Sequence, residues 1–257
     1  YGNYATGFRA PNAAQLNGFI DPTPGVNARL LPNPDLKPET SRNLELGARA
    51  RWEQSYVDVA AFTGDYRQLI VDKKFLGGSN TVADPNVFQT VNVDNATIWG
   101  FEVKGSVDWG TVGNGRLSMP YSYGVARGQN NGSGKPLNTI DPAMATLGFA
   151  YEAHGWSARA DLRYHAPKDA SDIDPTAGVR AGTTQFSSVP AVTTLDVSGQ
   201  WRLRKDVRVT AGVVNLTNAK YWLWSDVQGL TTANATSQAD AYTQPGRHVN
   251  LSLVIDF

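Results

Sequence analysis

Alternation of apolar and polar residues along the chain is the feature that most restricts what it can fold into. In the segment 97–109, Trp99, Phe101 and Val103 alternate with Glu102 and Lys104. Successive side chains of a β-strand point to opposite faces, so this pattern predicts a strand with one apolar and one charged face. We find about ten such segments, which predicts an all-β chain. The others lie within 1–8, 43–52, 56–71, 117–125, 147–151, 156–165, 195–203, 207–213 and 249–257.

The segment 56–71 is less regular than the rest. Its apolar phase changes between Tyr56 and Phe62. One extra residue in a strand shifts the side-chain phase, so the change predicts a β-bulge in this stretch.

The connections between the segments are alternately short and long. Tight turns at one end and long loops at the other are typical of an antiparallel up-and-down transmembrane barrel with periplasmic turns and extracellular loops. A Greek-key sandwich would not sort its loops in this way. The short connections are 53–55, 110–114, 153–155 and 204–206, and the long ones are about 10–40, 72–94, 128–140, 167–191 and 219–245.

Tryptophan placement favours the same fold. Indole rings prefer the membrane interface, and four of them lie beside the short turns and predict one girdle there: Trp52, Trp109, Trp156 and Trp201. Phe257 closes the chain at the same level, while Trp99, Trp222 and Trp224 lie towards the long loops. The alternative is that these aromatic residues form the core of a soluble β domain.

Composition removes several other classes. Lys plus Arg and Asp plus Glu both number 23, so no bulk charge would recruit nucleic acid. The chain has no cysteine, which excludes disulfides, thiolate metal sites and cysteine nucleophiles. No apolar run is long enough for a transmembrane helix.

Four stretches carry a more specific signal. They are YATGFRAPNAAQLNGF at 4–19, NPDLKPETSRNLELGAR at 33–49, NLTNAKYWLWSDVQGL at 215–230 and YTQPGRHVNLSLVIDF at 242–257. They resemble the C-terminal barrel of TonB-dependent receptors, and the resemblance runs the whole length. It implies that 1–257 is one domain, the last ten strands of a barrel of about 22, with the N-terminal plug absent from this chain. It also implies that the protein is located in the outer membrane of a Gram-negative cell.

The same resemblance implies a transport function. Receptors of this family import an iron-bearing ligand when energy from the inner membrane moves the plug. The FRAP box at 8–11 and the NPDL box at 33–36 are most similar to haem and haemoglobin receptors, with catecholate siderophore and cobalamin receptors as the alternative. A passive porin or adhesin barrel and an outer-membrane enzyme are further classes, and no catalytic motif supports the enzyme.

The resemblance also implies partners. These are the TonB energy-coupling complex, reached through the missing N-terminal part, outer-membrane lipid, the barrel assembly machinery, and haem, a haem protein or a ferric siderophore. No intrinsic cofactor and no resident metal are expected, and haem would be a transported ligand. The final alternation ends in Phe257 and resembles the C-terminal signal that the assembly machinery reads.

Candidate ligand contacts cluster near the long loops. Arg9 and Asn33 lie in the two boxes that bound the first loop, where the alternative is that they shape its base. The other candidates are aromatic residues that could stack on a flat macrocycle or anchor in the outer leaflet, and two histidines: Tyr221, Trp222, Trp224, His165 and His248. The histidines fall on strands separated by two others, so we expect that they cannot share a metal. Residues 12–32 contain neither His nor Tyr, so no axial haem ligand is expected from this loop.

Charged residues on the polar face are candidate contacts of the plug. Charges would be costly against lipid but are natural in a hydrated lumen. The alternative is that they solvate the interior or pair across strands. The candidates are Glu45, Arg49, Glu102, Lys104, Arg159, Asp161 and Arg163.

Overall fold

Ten antiparallel strands form one continuous sheet. The computed structural model describes residues 1–23, 27–92, 95–175, 188–228, 230 and 239–256, with Lys73 described by its backbone alone. The strands are β1 (Gly2–Arg9), β3 (Glu39–Trp52), β4 (Ser55–Arg67), β7 (Ala96–Val112), β8 (Gly115–Asn130), β9 (Met144–Ala153), β10 (Trp156–His165), β11 (Val192–Arg204), β12 (Val207–Val214) and β13 (His248–Ile255). Each pairs with its neighbour in this order, and β1 and β13 form the edges. The predicted all-β, up-and-down arrangement of about ten strands is confirmed.

The strand registers sort the side chains into two faces, because residues directly opposite each other point the same way. Leu46 lies opposite Ala61, and Ala61 opposite Phe101. These apolar side chains are open to the outside: Leu46 is 60% exposed and Phe101 42%. Asp58, on the polar face, is only 5% exposed. The apolar face is therefore unpacked, the reverse of a soluble β-sandwich.

The four short connections are two-residue hairpin turns. They lie at 53–54, 113–114, 154–155 and 205–206, close to their predicted positions. The turn predicted at 110–114 is shorter than expected because β7 continues to Val112 past a bulge between Asp108 and Gly110. Gly110 has a φ of 78°, a conformation that glycine adopts without strain.

The bulge predicted between residues 56 and 62 is wrong. β4 pairs with both neighbours without a register shift there, so Asp58, Ala60 and Phe62 all belong to the polar face. Phe62 lies against Gly100, where an added Cβ would come within 2.4 Å of the ring. The aromatic ring covers the gap left by a glycine on the next strand, which explains an apolar side chain on a polar face.

A second, smaller sheet is built from segments that the sequence pattern assigns to loops. It contains β2 (Ala28–Leu31), β5 (Ile70–Gly77) and β6 (Asn86–Asn92), in the order β2-β6-β5, with β2 and β6 parallel. The rings of Phe75 and Phe88 pack at a centroid distance of 5.6 Å. The first two long loops are therefore joined by backbone pairing.

Among the described residues, helices are short and confined to the loops. They are α1 (Ala13–Asn17) and α2 (Trp224–Val227), with single 3₁₀ turns at Ala170–Asp172 and Ala239–Tyr242. Asn12 caps α1 by accepting a hydrogen bond from the Gln15 amide, and the Gln15 side chain bonds back to the Asn12 amide. In the part of the chain that the structure describes, no helix has the length and apolar content needed to cross a membrane.

Candidate functional site

The polar face carries a first charge cluster at the start of the sheet. Asp58 accepts hydrogen bonds from the Arg49 guanidinium, with Nε at 2.9 Å, and from the Tyr1 hydroxyl at 3.2 Å. Lys104 lies directly opposite Asp58 on β7. An open cavity of ≈ 550 Å³ adjoins these groups and is lined by Tyr1, Glu45, Arg49, Asp58, Ala60, Glu102 and Lys104. Four of the seven predicted lumen residues thus line one open cavity.

A second charge cluster lies on β10 and β11. Arg159 holds Asp161 through two parallel hydrogen bonds of 2.6 and 2.8 Å. Asp161 lies directly opposite Asp196, whose carboxylate pairs with Arg163 at 3.2 Å. Asp196 also accepts the amide of Asn215. Each of the two facing carboxylates is therefore neutralised by a separate guanidinium. These pairs hold the charged side chains of β10 and β11 in defined positions on the polar face.

Sequence reasoning missed Asp58 and Asp196. Asp58 was obscured by the supposed phase change, although Val57, Val59 and Ala61 already define an apolar row that places it on the polar side. Asp196 stands in a clean alternation between Leu195 and Val197, and the same reading would have found it.

We expect Arg159→Ala to lower the free energy of unfolding by about 1–2 kcal/mol, because it leaves the buried Asp161 carboxylate facing Asp196 without its partner. The Arg159 side chain is half exposed, so water offsets part of the loss. Denaturant unfolding of the full-length protein in detergent measures the change. The control is Arg159→Lys, which keeps the charge but loses the paired geometry and should cost less. Equal stability of all three proteins would contradict a structural role for the pair.

Three long loops are joined into one layer beyond the outer strand ends. The loops are 131–143, 166–191 and 215–247. The Trp224 indole donates to the Asn138 carbonyl, and the Asn138 side chain exchanges two hydrogen bonds with the Asp174 backbone. The Ser225 amide donates to Asp141. Each loop thus contacts another through specific hydrogen bonds.

An apolar cluster with a buried cation holds this layer together. Its members are Ile173, Val189, Trp224, Val227, Leu230 and Ala239, with Trp222 packed against them. The Lys168 ammonium donates to the Ile140 carbonyl at 2.7 Å and lies 5.3 Å from the centre of the Trp224 ring. Burial lowers the pKa of Lys168, although Asp172 partly offsets the effect. The Lys168 ammonium therefore links its own loop to the loops that carry Ile140 and Trp224.

The burial of Trp224 contradicts the prediction that it presents its ring to a ligand or to the outer leaflet. Its exposed fraction is 2%. Trp222 is partly exposed, and its indole is oriented by donation to the Ala239 carbonyl at 2.7 Å. Tyr221 is also partly buried, which raises the pKa of its phenol. Trp222 and Tyr221 remain candidate ligand contacts, whereas Trp224 stabilises the loop layer.

The two sequence boxes at the first long loop make structural contacts. Arg9 bonds to both carboxylate oxygens of Glu39, at 2.5 and 2.6 Å, and Glu39 also accepts the Ile70 amide. The Asn33 amide donates to the Thr90 carbonyl, and its oxygen accepts the Asp35 amide. These bonds connect the loop base to the small sheet. Contact of Arg9 or Asn33 with a ligand stays a prediction.

The histidines differ in their surroundings. His165 ends β10 on the polar face and is half buried, whereas His248 is exposed with Nδ1 2.9 Å from the Gly246 carbonyl. β11 and β12 separate the two strands, as predicted. Across the described residues, no group of three or more His, Asp or Glu side chains could hold a metal ion. Phe257, the predicted assembly signal, lies outside the described residues.

A family model described as "TonB dependent receptor-like, beta-barrel" matches residues 1–216. The chain belongs to this family. The TonB-dependent receptor barrel is an outer-membrane fold, so the exposed apolar face lies where lipid would contact it, and the predicted location is confirmed. The family and its relatives are receptors and transporters rather than enzymes, which confirms the prediction of a non-enzyme.

Individual relatives of this TonB-dependent receptor barrel differ in what their names say they bind. The Haemophilus influenzae hemoglobin and hemoglobin-haptoglobin-binding protein A is 28% identical over 277 residues, covering 99% of this chain and 25% of that protein. The copper transporter OprC has a TM-score of 0.75 at 22% identity, covering 100% of this chain and 36% of that one. The Pseudomonas aeruginosa ferric enterobactin receptor has a TM-score of 0.71 at 22% identity, covering 100% and 38%. The structural likenesses show the fold alone.

Proposed function

We propose that the full receptor imports an iron-bearing ligand across the outer membrane, and that this ligand is haem taken from haemoglobin or another haem protein. The chain spans about a quarter of its haemoglobin-binding relative, so the proposal concerns the whole receptor. The observation that carries it is similarity to that relative along 99% of this chain, loops included. Ligand-contacting residues of such receptors lie in loops, which makes the extent of the match informative.

In this proposal the two charge clusters of the polar face contact the plug. The cluster around Asp58 and the pairs on β10 and β11 present fixed charges of both signs towards the lumen. A plug with complementary charges would be held in register by them and could still move through a hydrated interface. The proposed contacts are Glu45, Arg49, Glu102, Lys104, Arg159, Asp161 and Arg163. TonB, acting on the plug of the full receptor, would supply the movement.

The loop layer favours the proposal that the ligand is large. The described parts of three loops hold one another through a buried cluster, and a preorganised surface of this kind loses less conformational entropy when a protein binds. A small chelate would need less surface. This favours a haem protein as the donor.

Growth on defined iron sources tests the proposal. We expect the full-length receptor, expressed in a haem-requiring strain that lacks its own haem receptors, to support growth on haemoglobin when TonB is present. The same strain without TonB is the control for energy coupling. Purified receptor should also shift the Soret band of added haem. Growth on a ferric catecholate or uptake of cobalamin, without growth on haemoglobin and without a Soret shift, would reassign the ligand.

A further inference from the structure

A cavity of ≈ 220 Å³ lies where the loop layer meets the outer ends of β9 and β10. It is separate from the charged space around Asp58. The lining is mostly apolar and combines loop residues with the strand ends: Asp141, Pro142, Met144, His165, Ala166, Val189, Pro190, Trp222, Leu223, Trp224 and Ser225. His165 and Met144 are direct cross-strand partners, so both side chains point to the polar face at the same level.

The imidazole of His165 is available to a ligand. Among the described residues, no hydrogen bond reaches either of its ring nitrogens. Its recorded neighbour is the Tyr221 ring, whose centroid is 5.9 Å from that of the imidazole. Among the described side chains, Asn86 Oδ1 is the only buried nitrogen or oxygen atom without a hydrogen-bond partner, so the ring nitrogens of His165 are not sealed from solvent. A ligand that enters the cavity can therefore reach them.

The donor set selects the kind of ligand. An imidazole and a thioether suit a soft or borderline metal, and both are axial ligands of haem iron. A bare hydrated cation would gain little here, because the only carboxylate in the lining, Asp141, already accepts the Ser225 amide. Walls of Trp222, Val189 and two prolines favour contact with an apolar macrocycle.

We propose that His165 coordinates haem iron as haem enters the lumen, with Trp222 and Met144 contacting the porphyrin. This inference rests on the proposed function and gives haem a binding point on the barrel wall. The cavity is smaller than the roughly 300 Å³ at which pockets for small ligands begin, so haem would lie at its mouth, with the iron facing His165 and one edge of the macrocycle against Trp222. Coordination replaces a water or a donor-protein ligand on the iron with an imidazole nitrogen. A partly open site of this kind holds haem in transit and still releases it.

Haem titration of full-length variants tests the assignment. We expect His165→Ala to weaken ferric haem binding by about tenfold or more and to remove the imidazole-ligated Soret band. Free imidazole should also restore co-migration of haem with the variant in gel filtration, with haem and imidazole alone as the blank, which a merely structural role would not predict. His154→Ala is the matched control, since it removes the histidine of the 154–155 turn, at the opposite end of β9 and β10 from this cavity. Heat-modifiable migration in gels confirms that each variant forms a folded barrel.

The outcomes separate this inference from the proposed function. If wild-type receptor binds haem and His165→Ala binds it equally with an unchanged spectrum, the role of His165 is wrong while haem import stands. If wild type binds no haem, both fail. Tight binding of Cu(I) alone to wild type, lost in Met144→Leu and His165→Ala without any haem effect, would overturn haem in favour of a metal ion. Met144→Leu keeps the side-chain volume and should change haem affinity less than His165→Ala.

Discussion

Val103→Arg is expected to lower the free energy of unfolding by about 2–4 kcal/mol and to reduce the yield of folded barrel. Val103 lies on the apolar face of β7, directly opposite Val59 and Tyr123, midway between Trp99 and Trp109. If those two tryptophans mark the membrane interfaces, the new guanidinium would lie near the bilayer centre. An arginine there must be dehydrated or must drag water into the lipid.

The control places the same side chain on the other face. Ser106 belongs to the polar face of the same strand, opposite Tyr56 and Pro120. Ser106→Arg should therefore change stability by less than about 1 kcal/mol, because its guanidinium extends into water. Heat-modifiable migration and denaturant unfolding of full-length protein in lipid vesicles compare the two variants. Equal tolerance of arginine at both positions would mean that the apolar face does not contact lipid.

Trp224→Ala is expected to loosen the whole loop layer while the strands stay intact. The indole is buried, packs in the loop cluster, donates to the Asn138 carbonyl and lies beside the Lys168 ammonium. Removing a buried Trp typically costs about 3–5 kcal/mol, and here the cost falls on local stability because the cluster belongs to the loops. Hydrogen exchange should therefore rise at 131–143, 166–175 and 215–228, with little change in β3, β4 and β7.

Trp224→Phe serves as the matched variant. It keeps a ring in the cluster but loses the donation to Asn138 and part of the indole volume beside Lys168, so its loops should exchange at rates between those of wild type and Trp224→Ala. Weaker haem or haemoglobin binding in Trp224→Ala, together with faster loop exchange, would show an effect through loop order. Weaker binding with unchanged exchange would instead indicate direct contact between Trp224 and the ligand, contrary to its burial here.

The polar face was recognisable from the sequence, but its pairing was not. The alternation placed Arg49, Arg159 and Arg163 on the polar face, and the strand registers agree. Which carboxylate each one meets depends on strand register, which joins Arg49 to Asp58 and Arg163 to Asp196. The local pattern does not specify register beyond the hairpin turn. In β4 the alternation looked irregular because Phe62, an apolar residue on the polar face, packs against Gly100 of the next strand.

By itself, the sequence determined the number of strands in the main sheet, the division into apolar and polar faces, and the sorting of short turns from long loops. These are local properties, since a side chain's face follows from its position in a period of two. The tertiary structure alone decided that Trp224 is buried, that three loops share one cluster, and that His165 meets Met144 in a cavity. Those contacts join distant residues, 86 positions apart for Trp224 and Asn138, and depend on packing that no local pattern encodes.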